Sequence, residues 1–246
     1  MAELRSNHVK ISVLLIALGL LIAVSAQANS IVAPNALETV AGNSRNGFPF
    51  TTNALSMAYQ QVYAASQFAS ASGPIEITAV SYRPDSTSSP FTLTMSDVEI
   101  YLSTTSVAPD AMNPTFAANL GGDNTLVRAG SLTVSSDGPD GLGDWEIGFT
   151  LQNTFVYDPS QGNLLMYVKK NSAEGLSPAQ FMDAELTIGD SVSRLWNTSG
   201  SGATTGTLDS SGLVTRFTYT PVPLPSALAA GLTLMGGMGL LRRQRA

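Results

Sequence analysis

Residues 75–83 read Ile75-Glu76-Ile77-Thr78-Ala79-Val80-Ser81-Tyr82-Arg83, and Pro84-Asp85 follows. Apolar Ile75, Ile77 and Ala79 alternate with Glu76 and Thr78, the period of two that sets one face of a strand on a core and the other in water. Pro84-Asp85 then supplies turn chemistry. The pattern returns where Val98, Ile100 and Leu102 alternate with Glu99, Tyr101 and Ser103. Residues 57–63, 126–134, 145–151, 164–169, 184–188 and 213–219 are further strand candidates, divided by clusters of Gly, Pro, Asn, Asp and Ser. No long stretch of residues 29–220 keeps a period of 3.6, so the expectation is all-β. Short strands separated by turns predict an antiparallel β-sandwich, jelly-roll-like rather than immunoglobulin-like at this length. The best helical candidate is a turn over 114–119, with Asn113 as cap and Pro114 in the first helical position. Residues 197–212, rich in Ser, Thr and Gly, read as an exposed loop.

Composition agrees with this reading. Charged residues make up 12% of the 246, about half of the usual ~25%, while Gly (22) and Pro (13) are plentiful, as a turn-rich β protein requires. There is no cysteine, which excludes a disulfide framework, a thiolate nucleophile and a Cys-ligated metal. The one histidine is His8, near the N-terminus, so a body beginning at Asn29 has no Ser-His-Asp triad and no His-ligated zinc. Neither a phosphate-binding G-x-x-x-x-G-K-[ST] loop nor a dinucleotide fingerprint occurs.

The two ends read as addresses. Arg5 and Lys10 precede an apolar run over 11–24, the length of a signal-peptide core, and Ala26-Gln27-Ala28 offers a small-x-small cleavage site before Asn29. As a helix that run rises only about 21 Å, short of the roughly 30 Å hydrocarbon core that a permanent span crosses. At the other end Val222-Pro223-Leu224-Pro225-Ser226 leads into an apolar run over 226–241, interrupted by Gly231, Gly236, Gly237 and Gly239, and then into Arg242, Arg243 and Arg245. Basic residues after an apolar segment stay cytoplasmic, which places the body outside the membrane. The domain organisation is therefore a signal peptide over 1–28, a β domain over 29–220 and a C-terminal sorting signal over 221–246. The two ends are expected to form a signal helix and a short apolar helix.

The order of Pro-rich motif, apolar helix and arginine cluster closely resembles the PEP-CTERM class of bacterial sorting signals, in the variant whose core reads Val-Pro-Leu-Pro-Ala. Ser226 replaces the Ala of that variant, a small-for-small change. The resemblance implies recognition by an exosortase-type membrane transpeptidase or protease, in a Gram-negative bacterium that makes extracellular polysaccharide. A simple C-terminal membrane anchor is the alternative. Within the body, Gly42-Asn43-Ser44-Arg45-Asn46-Gly47-Phe48-Pro49-Phe50, Tyr59-Gln60-Gln61-Val62-Tyr63 and the stretch over 155–165 are similar to exported β proteins bearing this tail. That similarity implies a fold and no activity.

The body offers few chemical candidates. Asp137, Asp140 and Asp144 lie in a Gly-rich stretch that can present oxygen ligands to Ca²⁺, although the spacing departs from the EF-hand rule and tight turns also favour Asp and Gly. Trp145 and Trp196 are candidates for stacking on sugar rings, against the alternative of a place in the core. Glu146 beside Trp145, Glu185 near Asp183 and Glu99 near Asp97 are carboxylates that could be nominated for glycoside hydrolysis, but their spacing singles out no pair. Lys169 and Lys170, adjacent on one strand, must face opposite ways. Without its two ends the chain carries seven Lys and Arg against seventeen Asp and Glu, a net charge of −10 that suits no nucleic-acid partner. The expected function is that of a non-enzymatic component of the cell surface or extracellular matrix, without a cofactor. A carbohydrate-binding matrix module, with or without calcium, is the alternative, and extracellular polysaccharide is its partner.

Overall fold

A computed structural model describes residues 28–51, 54–171 and 180–222. The signal helix and the C-terminal apolar helix expected from the sequence lie outside the described residues. The first strands are β1 (Asn29–Ala33), β2 (Ser44–Asn46), β3 (Met57–Tyr63), β4 (Ile75–Tyr82), β5 (Phe91–Thr105), β6 (Thr125–Ser136) and β7 (Ile147–Tyr157). They are followed by β8 (Asn163–Lys170), β9 (Met182–Leu186), β10 (Val192–Asn197), β11 (Thr207–Asp209), β12 (Ser211–Leu213) and β13 (Thr215–Pro221). The strands form a four-stranded sheet in the order β1-β13-β4-β7, a six-stranded sheet in the order β11-β10-β3-β8-β5-β6, and a small sheet in the order β12-β9-β2. The chain is all-β, and the sheet pairings among the described residues are antiparallel.

The two larger sheets share one core. Ile77, Val80, Tyr82 and Phe217 from the four-stranded sheet join Tyr59, Tyr63, Ile100, Leu102, Met166 and Val168 from the six-stranded one. Tyr63 meets Phe217 edge-on at 4.9 Å between the sheets, and Phe68, from the 3₁₀ turn after β3, meets Tyr157 at 4.9 Å. The buried tyrosine hydroxyls find partners, Tyr63 with Thr215 Oγ1 at 3.0 Å and Tyr59 donating to Gln61 Oε1 at 2.6 Å. Gln61 in turn accepts from the Leu213 N–H and donates to the Leu213 carbonyl, both at 2.9 Å, so an amide side chain stands where a strand neighbour would.

The alternation over 75–83 is interrupted once. Pairing shifts register between Ile77 and Ala79 against β7, and Val80, not Ala79, is the next fully buried residue. A bulge inserts the extra residue, so the inward phase passes from 75 and 77 to 80 and 82. A second shift, between Met95 and Val98 of β5, joins two alternating halves into one strand of 15 residues where the sequence suggested only its second half. Gly130, at φ 92°, pairs with Val98 at that irregularity and supplies a conformation that other residues avoid.

Other elements depart from expectation. β7 begins at Ile147, which leaves Trp145 and Glu146 in the preceding loop. The stretch over 197–212, expected to be a loop, contributes β11 and the start of β12, because β10 offers its backbone to 207–209 as a partner. The helical candidate is a 3₁₀ turn, Phe116–Asn119. Asn113 lies two residues before the cap position, Thr115, with its Oδ1 accepting from the Thr115 N–H at 2.8 Å, and Pro114 precedes the turn instead of opening it. This turn lays Phe116 on Tyr167, stacked at 5.5 Å, and covers Ala58, Val62, Leu165 and Leu195 on the outer face of the six-stranded sheet.

The β6 edge is closed by side chains rather than by a strand. Gln152 accepts from the Ala129 N–H at 2.8 Å and donates to its carbonyl at 3.0 Å, while Asn153 donates to the Leu126 carbonyl at 3.0 Å. Such contacts occupy the unpaired groups through which an edge would recruit another chain.

At the end of the four-stranded sheet where β4 stops, Arg83 is buried to 1% exposure. Its Nε donates to Asp183 Oδ2 at 2.7 Å, and its other nitrogens reach the carbonyls of Leu37, Glu38, Val40 and Leu142. Asp183, on β9, accepts from the Gly42 N–H at 2.9 Å through its second oxygen. Burial pushes the Asp183 carboxyl up while Arg83 pulls it down. Removing one member of a buried pair strands the other charge, so Arg83→Met should cost about 3–5 kcal/mol in urea unfolding. Adding Asp183→Leu to that variant should restore part of the loss, because the stranded carboxylate is then gone.

Candidate functional site

The sequence placed its most specific signals at the two ends, and the fold brings the bases of both to one pole. β1 opens at Asn29, next to the exposed Ala28 of the expected cleavage site, and Asn29 pairs with Tyr219 of β13. β13 ends with Pro221 opposite Ile75, and the Val222 N–H donates to the Pro74 carbonyl at 3.0 Å. The first residue of the Val222–Ser226 motif is thus fixed to the body. Pro223, Leu224, Pro225, Ser226, Arg242, Arg243, Arg245 and Ala26 lie outside the described residues. Between the two strand ends is a cavity of about 180 Å³ lined by Asn29, residues 70–75, Tyr219, Pro221 and Val222. Nothing in the sequence marked the loop over 70–74 beyond its Ser, Gly and Pro, which any turn uses. Its importance comes from pairing across more than a hundred residues.

The aspartates considered for calcium lie in the loop between β6 and β7. Asp137 and Asp140 are exposed and Asp144 is half-buried. The Asp137 N–H donates to Glu146 Oε1 at 2.8 Å and the Asp144 N–H to the Gly141 carbonyl at 3.2 Å, with Gly138 and Gly141 at positive φ. Among the described residues no three Asp, Glu, His or Cys side chains are grouped to hold a metal ion.

Both tryptophans are engaged by the protein. The Trp145 ring lies 5.0 Å from the Arg83 guanidinium and 5.2 Å from that of Arg216. Trp196, half-buried on β10, packs on Phe48 at 5.2 Å and donates its indole N–H to Asp209 Oδ2 at 3.1 Å. Beside it a shallow groove of about 320 Å³ is lined by Asn197, Thr198, Ser199, Thr205 and Thr207. The carboxylates weighed for hydrolysis are held as well. Asp183 binds Arg83, Glu185 accepts from the Asn43 N–H at 3.1 Å, Glu99 accepts from the Tyr101 hydroxyl at 2.9 Å, and Asp97 accepts from the Asn171 amide at 2.6 Å.

Two titratable groups stand out electrostatically. Burial pushes Asp190 up to about 6, while the Val192 N–H bonded to its Oδ1 at 3.0 Å pulls the other way. The two lysines face apart as the strand period requires. Lys169 is half-buried, 3.8 Å from Glu99, whereas Lys170 is wholly buried and donates to the Thr51 carbonyl at 2.5 Å.

Compared with known proteins, the sequence matches no family model and no curated protein.

Burial lowers Lys170 to about 8. Below that pH both folded and unfolded chains carry the charge, and the folded one bears the cost of burying it. As pH rises through 8 the folded chain releases its proton while the unfolded chain keeps it to about 10.5, so stability rises. Unfolding free energy should increase by about 1 kcal/mol between pH 7.5 and 9. In Lys170→Met that increase should vanish, as measured by urea titration at each pH.

Proposed function

We propose that this chain is an exported, non-enzymatic β-sandwich protein of the cell surface or extracellular matrix, sorted through its C-terminal tail by an exosortase-type membrane enzyme. The observation that carries the reading is the tail itself. Val222-Pro223-Leu224-Pro225-Ser226, a Gly-weakened apolar run and Arg242, Arg243 and Arg245 follow in that order, behind a chain that opens with a signal-peptide pattern. Membrane anchoring alone requires neither the prolines nor the glycines. On this reading the attachment is transient, and the acidic body is soluble once released.

The body fits a scaffold role. The carboxylates weighed for hydrolysis and both tryptophans have partners within the protein, which suits a module that presents a surface rather than performs a reaction. Within the all-β class we read it as jelly-roll-like. Taking β1, β3, β4, β5, β6, β7, β8 and β13 as strands one to eight, the two larger sheets run 1-8-3-6 and 2-7-4-5, an order expected of two Greek keys. The carbohydrate-binding alternative has its best support in the hydroxyl- and amide-lined groove beside Trp196. Binding of the exported protein to a glycan array separates that reading from a purely structural one.

The sorting reading is tested by Pro223→Ala with Pro225→Ala, in cells that make the enzyme. The double variant should accumulate as uncut, membrane-bound precursor, while the wild type is processed. Equal processing of both would remove the motif from the account.

A further inference from the structure

We infer that the pole carrying Asn29, the loop over 70–74 and Val222 is the surface on which the membrane enzyme docks to cut the tail; this rests on the sorting reading above. The first motif residue is not on a tether. Val222 is held to Pro74 by its N–H at 3.0 Å, one residue beyond the last rung of β13 with β4. An enzyme that grips a motif beginning at Val222 therefore touches the residues around it. Those are Asn29, Ser72, Gly73 and Pro74, which line the same cavity as Val222.

The leader adds a second constraint. β1 begins directly after Ala28 and pairs with β13, so the chain enters and leaves the body at adjacent points of one sheet end. Both expected membrane attachments thus pull on the same pole and hold it toward the bilayer. The opposite pole, with Arg83 and the loop over 137–146, lies at the far end of β4 and β7, because Tyr82 pairs with Ile147 there and Ile75 pairs with Tyr157 here.

Two glycines with open space at the Cβ position make the claim testable. A Cβ built at Gly73 meets no atom within 4 Å, and the same holds for Gly143 in the far loop. Gly73→Trp places bulk on the docking pole and Gly143→Trp places the same bulk away from it. Ser72→Trp, at an exposed position, is a second probe of the pole should Gly73→Trp alter thermal stability. In cells making the enzyme, tail removal followed by mass over time should slow at least tenfold in Gly73→Trp and Ser72→Trp and keep the wild-type rate in Gly143→Trp. Wild-type rates in both pole variants would overturn the docking surface while leaving the sorting reading intact. A wild-type chain that is never cut would overturn the sorting reading itself, and the docking surface with it.

Discussion

The Arg83–Asp183 pair is the constraint on which the far end of the molecule is built. One guanidinium, wholly removed from water, meets a carboxylate of the small sheet and four backbone carbonyls from two separate loops. The carboxylate uses its other oxygen on the Gly42 N–H, and the Asp183 backbone continues the join, donating to the Arg83 carbonyl and accepting from Val214. Neither charge is tolerable alone at this depth, so the loops over 37–42 and 142 and strands β4 and β9 must arrive together. Trp145 closes the arrangement by laying its ring near the guanidiniums of Arg83 and Arg216.

With one pole closed in this way, the other is left to the chain ends. Here the sheet is finished by single contacts between segments far apart in the chain: the Val222 N–H on Pro74, the Thr220 hydroxyl on Glu76 at 3.3 Å, and the Thr154 hydroxyl on Glu76 at 2.7 Å. These are single hydrogen bonds near the surface, each of modest net worth. The molecule thus has one pole closed by a buried ion pair and another at which β1 and β13 bring the chain's entry and exit side by side. The motif proposed for the membrane enzyme begins at the second, where the Val222 N–H is bonded to the Pro74 carbonyl.

Much of the fold was legible in the sequence because its signal is local. Alternation at 75–82 and 98–103, and turn residues between runs, require no knowledge of distant partners, and β3 matches its expected limits residue for residue. What could not be read depends on pairing. The bulge at 77–79 is set by neighbours on both sides of β4, and β11 exists only because β10 offers it an edge. Arg83 looked like a charge ending a strand, and its burial follows from Asp183, a hundred residues away. Of the candidate site, the motif residues were legible as a pattern, whereas the loop over 70–74 was not, since its place beside Val222 is a property of the sheet. The Asp- and Gly-rich stretch over 137–144 was legible as a turn, and the Asp144 N–H to Gly141 carbonyl bond and the positive φ of Gly138 and Gly141 are turn geometry.

The central claim is that a folded β body is carried between two removable ends. The most direct measurement is the intact mass of the protein recovered from a bacterium that makes both it and the tail-cutting enzyme. The account predicts a chain that begins at Asn29 and lacks the apolar run and arginine cluster. A mass that still includes residues 228–246 would contradict it and identify the tail as a permanent anchor.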